Sequence, residues 1–155
     1  MKQQLKPASL QCTCKIRPPK PGDCDRMADL AGQLGYECTG AEVRARLDGM
    51  WDPNQYAVYV AELPGGQIAG WVGVYIFRAV VLDRFAEING LVADQQIRCR
   101  GIGKALLDIA EQWARNQGCS TISVRSNVTR ERAHRFYTRN GFQHIKTQKS
   151  FRKSL

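Results

Sequence analysis

The 155 residues predict an α/β fold in which one mixed sheet carries helices on both faces. Three observations lead there. Apolar residues recur at helical spacing in four segments, and strand-like runs lie before and between them. Gly35, Gly118 and Gly141 each stand where a helical segment ends. The length suits one domain around one sizeable core.

The elements follow in order. Residues 1–12 read as a flexible tail, which leaves 13–155 as a single domain. Residues 14–17 form a short strand stopped by Pro18 and Pro19. Asp23 is placed to cap a helix with apolar positions Met27, Leu30, Ala31 and Leu34. Thr39 and Glu42 have capping-box spacing for a second helix through Val43, Leu47 and Met50. Residues 56–63 and 67–77 read as a hairpin around Pro64, Gly65 and Gly66, and a third strand runs over 85–93. Ile102, Ala105, Leu106, Ile109 and Trp113 mark one face of a long helix. Residues 121–124 are a short β-rich run, and 130–140 form a helix with Ala133, Phe136 and Tyr137 inward. Residues 142–145 and 147–152 are expected as closing strands, which completes the order β-α-α-β-β-β-α-β-α-β-β.

Composition narrows the function classes. Hydrophobic residues make up 43% of the chain, ordinary for a globular protein. No apolar run approaches the roughly 20 residues of a membrane helix. The stretch from Met1 to Pro7 lacks the apolar core of a secretory signal, so a cytoplasmic location without a membrane partner is expected. Of six cysteines, Cys12 and Cys14 are the only close pair, with no second ligand pair at zinc spacing; reduced thiols and no metal are expected. The net charge of +9 is one-sided: residues 98–155 hold 13 Lys+Arg against 3 Asp+Glu, and residues 1–97 hold 10 against 11. Such a field suits nucleic acid, an acidic surface or a phosphorylated cofactor.

Gly101 and Gly103 fall between a strand and a helix. A first helical turn leaves backbone N–H groups without partners, and the positive helix end adds to them. Glycine lets an anion approach such a backbone closely. Arg98, Arg100 and Lys104 contribute charge. At this level two readings stand: a pyrophosphate site, or a turn that uses glycine for its backbone angles. A nucleoside-triphosphate loop is excluded for lack of its Gly-Lys-Ser/Thr ending, and the dinucleotide fingerprint fails because Leu106 occupies its third glycine.

Arg98-x-x-Gly101-x-Gly103 resembles the Gln/Arg-x-x-Gly-x-Gly/Ala motif of the GNAT N-acetyltransferases. Leu91, Val92 and Ala93 resemble the family's cofactor-facing strand, and Asn127, Ala133, Phe136, Tyr137, Gly141 and Phe142 are spaced like its second signature. The stretch over 130–141 is similar to bacterial members labelled aminoglycoside-type. The resemblance covers nearly the whole chain. It implies acetyl-CoA as donor, with pantetheine in a gap between two splayed strands. Leu91 and Val92 would then bond pantetheine through their main chains. The amides of Arg98, Cys99, Arg100, Gly101, Ile102, Gly103 and Lys104 would hold the pyrophosphate, with Cys99 and Ile102 free to vary. The Asn127 side chain would also touch the donor.

Transfer to an amine sets chemical demands. An alkylamine with a pKa of ~10.4 is protonated at neutral pH and needs a base. Glu87 is the candidate, because some family members carry a catalytic Glu in a similar segment, and strand alternation puts Glu87, Asn89 and Leu91 on one face. Its other reading is a solvated carboxylate or one paired with an arginine. Tyr137 matches the position where the family keeps its general acid; its other reading is a core tyrosine. The Val92 N–H is the oxyanion donor by the same resemblance. His134 and His144 receive no role.

The resemblance implies a primary amine on a small molecule or protein as acceptor. By the family fold, Tyr36, Glu37, Trp51, Trp71 and Tyr75 border its cleft, with Tyr36 and Glu37 suited to a cation; the other reading of these two is a helix-end plug and a surface charge. A homodimer is compatible with the family, although no apolar seam stands out. Two other readings remain: a basic nucleic-acid-binding module, which lacks a helix-turn-helix or zinc-finger signature, and a catalytically silent acyl-CoA sensor, against which the intact Tyr137 argues.

Overall fold

The computed structural model describes residues 13–97 and 101–155. The expected tail over 1–12 and three loop residues, Arg98, Cys99 and Arg100, lie outside the described residues. Five strands form one sheet: β1 (Lys15–Arg17), β2 (Tyr56–Glu62), β3 (Ile68–Phe77), β4 (Phe85–Ala93) and β5 (Ile122–Val124). They lie in sequence order, antiparallel except for the parallel pair β4–β5. Four helices accompany them: α1 (Cys24–Gln33), α2 (Gly40–Asp48), α3 (Ile102–Asn116) and α4 (Glu131–Arg139).

The two faces of the sheet carry separate cores. On one, Val72, Val74, Ile76, Ala86 and Ile88 pack against Ile102, Leu106, Leu107 and Ala110 of α3. On the other, Val60, Ile68 and Val92 meet Met27 and Leu30 of α1. Burying both faces is what the apolar runs of β3 and β4 require.

Helix ends follow the local chemistry with one exception. The Thr39 N–H donates to Glu42 Oε2 at 2.8 Å and the Glu42 N–H to Thr39 Oγ1 at 3.2 Å, the expected capping box. Asp23 does not cap α1. Its own backbone is helical, so its carboxylate turns back and accepts from the Lys20 N–H and Arg17 Nη1, both at 2.7 Å. Arg17 Nε also donates to Glu62 Oε2 at 2.8 Å. Through these hydrogen bonds Arg17 holds both carboxyls below the usual carboxylate range.

The closing strands expected over 142–145 and 147–152 are not formed; residues 142–155 run as irregular chain. Ile145 and Phe151 point to solvent, 79% and 88% exposed, so no buried face organises this stretch. Lys146, Lys149, Arg152 and Lys153 keep it solvated.

Candidate active site

The site is built on a fork. β4 pairs with β3 along its whole length, but with β5 only where Ala86, Glu87 and Ile88 meet Ile122, Ser123 and Val124. Beyond Ile88 the strand runs on to Ala93 with only its β3 side paired among the described residues. The open side faces the space in which a donor chain could hydrogen-bond to the strand.

A bulge changes which side chains face this space. Gly73 pairs with Gly90 and Val74 with Ile88, so Asn89 is the extra residue. Opposed residues share a face. Glu87, Gly90 and Val92 therefore lie with Tyr75, Gly73 and Trp71 on the α1 side, whereas Leu91 and Ala93 lie on the α3 side. The expectation that Glu87, Asn89 and Leu91 share one face fails, because strict alternation does not survive the extra residue.

At the far end of the fork, Gly101 adopts φ 114° ahead of α3, a conformation that strains any side-chain-bearing residue. The Gly101 carbonyl accepts from the Ala105 N–H at 2.8 Å, which leaves the first-turn amides of Ile102, Gly103 and Lys104 outside the helical ladder. Gly103 lies beside Phe136 of α4, whose ring would stand 3.4 Å from a Cβ placed there, an ordinary contact. Lys104 pairs with Asp108 one turn on. Ile102 is not free to vary. It is 1% exposed and belongs to the α3 core, since the helix turns its side chain onto the sheet.

Glu87 is 5% exposed, and its Oε1 lies 2.8 Å from Arg125 Nη2. Arg125 is the first residue past β5, at the crotch of the fork. The Glu87 carboxylate holds the guanidinium above its ordinary pKa, by hydrogen bond and charge. Tyr75, opposite Glu87, has its phenol pushed up by burial and by the same negative charge. Tyr75 stacks on Tyr56 at 6.4 Å between ring centroids. Tyr56 in turn borders a cavity of about 280 Å³ shared with Cys24, Arg44, Leu47 and Met50.

Tyr137 is half-buried between Phe136 and Phe142, each ring centroid at 5.3 Å. Burial pushes its phenol pKa up from the ordinary tyrosine value. The Asn127 carboxamide oxygen accepts from the N–H and hydroxyl of Thr129, both at 3.0 Å, so Asn127 shapes the turn into α4. His134 is half-buried with Nε2 3.0 Å from the Asn127 carbonyl, a turn contact. His144 lies 3.2 Å from the Thr147 hydroxyl.

The acceptor-side residues separate. Tyr36, 70% exposed, and the exposed Glu37 lie in the loop between α1 and α2, and Trp51 is also in solvent. Trp71 is part of the framework. Its Nε1 donates to the Met27 carbonyl at 3.1 Å, and its ring lies so close over Gly90 that a Cβ there would stand 2.6 Å away.

Arg125 and a second cluster were not singled out by sequence reasoning. Asp94, directly after β4, is 6% exposed. It pairs with Arg26, and accepts from Gln33 Nε2 at 3.1 Å and the Gln96 N–H at 2.9 Å. Burial alone would raise its pKa, but these bonds and the Arg26 charge hold it below the usual range. Arg26 and Gln33 sit two turns apart on α1, so this helix is tied to the end of β4 immediately before the loop. The i, i+7 spacing of two polar residues on an otherwise apolar face was the available signal. Among the described residues no cluster of three or more His, Cys, Asp or Glu side chains could hold a metal.

Residues 27–142 match the model of the acetyltransferase (GNAT) family. The chain is 33% identical over 115 residues to an aminoalkylphosphonate N-acetyltransferase of Salmonella typhimurium, covering 74% of this chain and 71% of that protein. It is 28% identical over 102 residues to an aminoglycoside N(6')-acetyltransferase of Klebsiella aerogenes, covering 64% and 67%. The fold matches a glucosamine-6-phosphate N-acetyltransferase from Arabidopsis thaliana with a TM-score of 0.76 at 22% identity, over 92% of this chain and 99% of the other. The chain thus belongs to the GNAT family and is an N-acetyltransferase that uses acetyl-CoA as its acetyl donor.

Proposed function

We propose that the protein moves the acetyl group straight to a primary amine while donor and acceptor are bound together. The observation that carries this reading is the fork. Its open strand edge leads from Glu87 and Arg125 to the bared first-turn amides of α3. The bound donor supplies a thioester. Leu91 and Val92 offer it main-chain groups, and the amides of residues 98–104 receive its pyrophosphate. Asn127 offers its amide nitrogen. Gly101 and Gly103 fit this role, since neither brings a Cβ into the cradle. The Val92 N–H takes the charge that builds on the carbonyl oxygen. Glu87 removes a proton from the attacking ammonium, directly or through water, and Tyr137 gives one to the leaving sulfur. Tyr36 and Glu37 flank the approach of the amine, while Trp71 holds the floor beneath it.

The protein is one domain over 13–155, preceded by a tail. Among the described residues Cys14, Cys24, Cys38 and Cys119 are free thiols, and a cytoplasmic location is part of the same proposal. We assign no nucleic-acid partner, because the basic residues of the sequence concentrate around the donor loop and α4; a homodimer is compatible with the fold. Calorimetry with acetyl-CoA tests the donor site. Binding near 100 μM or tighter is expected, since enzyme KM values run from about 1 μM to 1 mM. Absence of binding there removes the reading.

A further inference from the structure

The catalytic scheme uses Glu87 and leaves Arg125 without a task. The two differ in access: the Glu87 side chain is 7% exposed and the Arg125 side chain 67%. A molecule entering from the α1 side meets the guanidinium first and finds the carboxylate beneath it. Glu87 engages Nη2, and a guanidinium carries five N–H donors in a planar fork suited to a second oxyanion. The exposed guanidinium repels a second cation and draws in a molecule with a negative group.

We propose that the Glu87–Arg125 pair selects an acceptor that carries an anionic group on a short chain beside its primary amine. The acceptor's ammonium takes the place of the guanidinium at Glu87, and its carboxylate, phosphate or phosphonate takes the place of Glu87 at Arg125. The ion pair is thus exchanged for two others, and the buried Glu87 carboxylate is never left without a cation. Arrival of such an acceptor also frees the base of its arginine. This inference rests on the acetyl-transfer reading above. A purely structural Arg125, neutralising a buried carboxylate, would affect all amines alike.

The test compares kcat/KM for 3-aminopropylphosphonate, n-butylamine and 1,3-diaminopropane, with thiol release as readout. The phosphonate is expected to exceed butylamine at least about tenfold, as one charge-assisted contact provides, and the diamine to fall below butylamine. Arg125→Gln is expected to bring the phosphonate/butylamine ratio close to one. Should that variant lose turnover with every amine, Arg125→Lys, which keeps the charge but not the fork, is expected to lower the ratio. A ratio near one in the parent enzyme, or an unchanged ratio in the variant that turns over, overturns the inference. Acetyl-CoA binding and butylamine turnover in the parent separate that outcome from failure of the transfer reading itself.

Discussion

The face of β4 turned to α3 is dry, and the face turned to α1 is charged, although both belong to the same nine residues. Toward α3, Ala86, Ile88 and Leu91 meet Val72, Val74 and the leucines of α3. Toward α1, Glu87 faces Tyr75 and Arg125 while Val92 packs on the core beneath Trp71. A rigid apolar face fixes the backbone that the donor reads, and the polar face can then vary with the acceptor. The bulge at Asn89 divides the roles, because it puts Glu87 and Val92 on one side and Leu91 on the other.

The largest effect belongs to the dry face. Leu106 is fully buried under the sheet, and Leu106→Ala is expected to cost about 2–5 kcal/mol of stability in denaturant titrations. A cost below 1 kcal/mol would deny that face its supporting role. Tyr137→Phe comes next, with kcat expected to fall about 100-fold and the acetyl-CoA KM little changed. Full kcat in a chemistry-limited assay would end the general-acid assignment. Glu87→Gln is expected to lower kcat/KM about tenfold in a chemistry-limited assay; an unchanged kcat/KM would remove Glu87 from the chemistry. Thr39→Ala, remote from both faces, is expected to cost about 1 kcal/mol through the lost cap, read as a lower unfolding midpoint.

The tether of α1 to β4 has a pH signature. Asp94 and Asp23 have carboxyl pKa values below normal in the folded state. Their stabilisation is complete above the unfolded Asp value of ~3.9 and is lost as pH falls through the folded values. The Asp94→Asn variant is expected to lose less stability than the parent between about pH 5 and pH 2. An identical loss in both would show that Asp94 does not contribute.

Periodicity and turn chemistry made most of the fold legible. The Thr39 capping box, the hairpin and the apolar face of α3 need only neighbouring residues to specify them. The closing strands over 142–152 failed because alternation alone marked them, and alternation without a core face to bury leaves the chain solvated. The residues proposed for the site drew on the loop glycines, on Tyr137 in a stretch spaced like a family signature, and on Glu87 in a segment similar to one that carries a Glu in some members. Arg125 was not legible, because its importance arises from the parallel register that sets Ser123 beside Glu87, and register is a tertiary property. Asp94 escaped for the same reason: its partners Arg26 and Gln33 lie more than sixty positions away. The bulge at Asn89 has no sequence mark other than the following Gly90.

Two faces serving two substrates require both substrates on the enzyme at once. Initial velocities measured while acetyl-CoA and an amine acceptor are varied together test this most directly. Intersecting double-reciprocal lines are expected for direct transfer within a ternary complex. Parallel lines, the mark of a covalent acetyl-enzyme and ping-pong exchange, would contradict it.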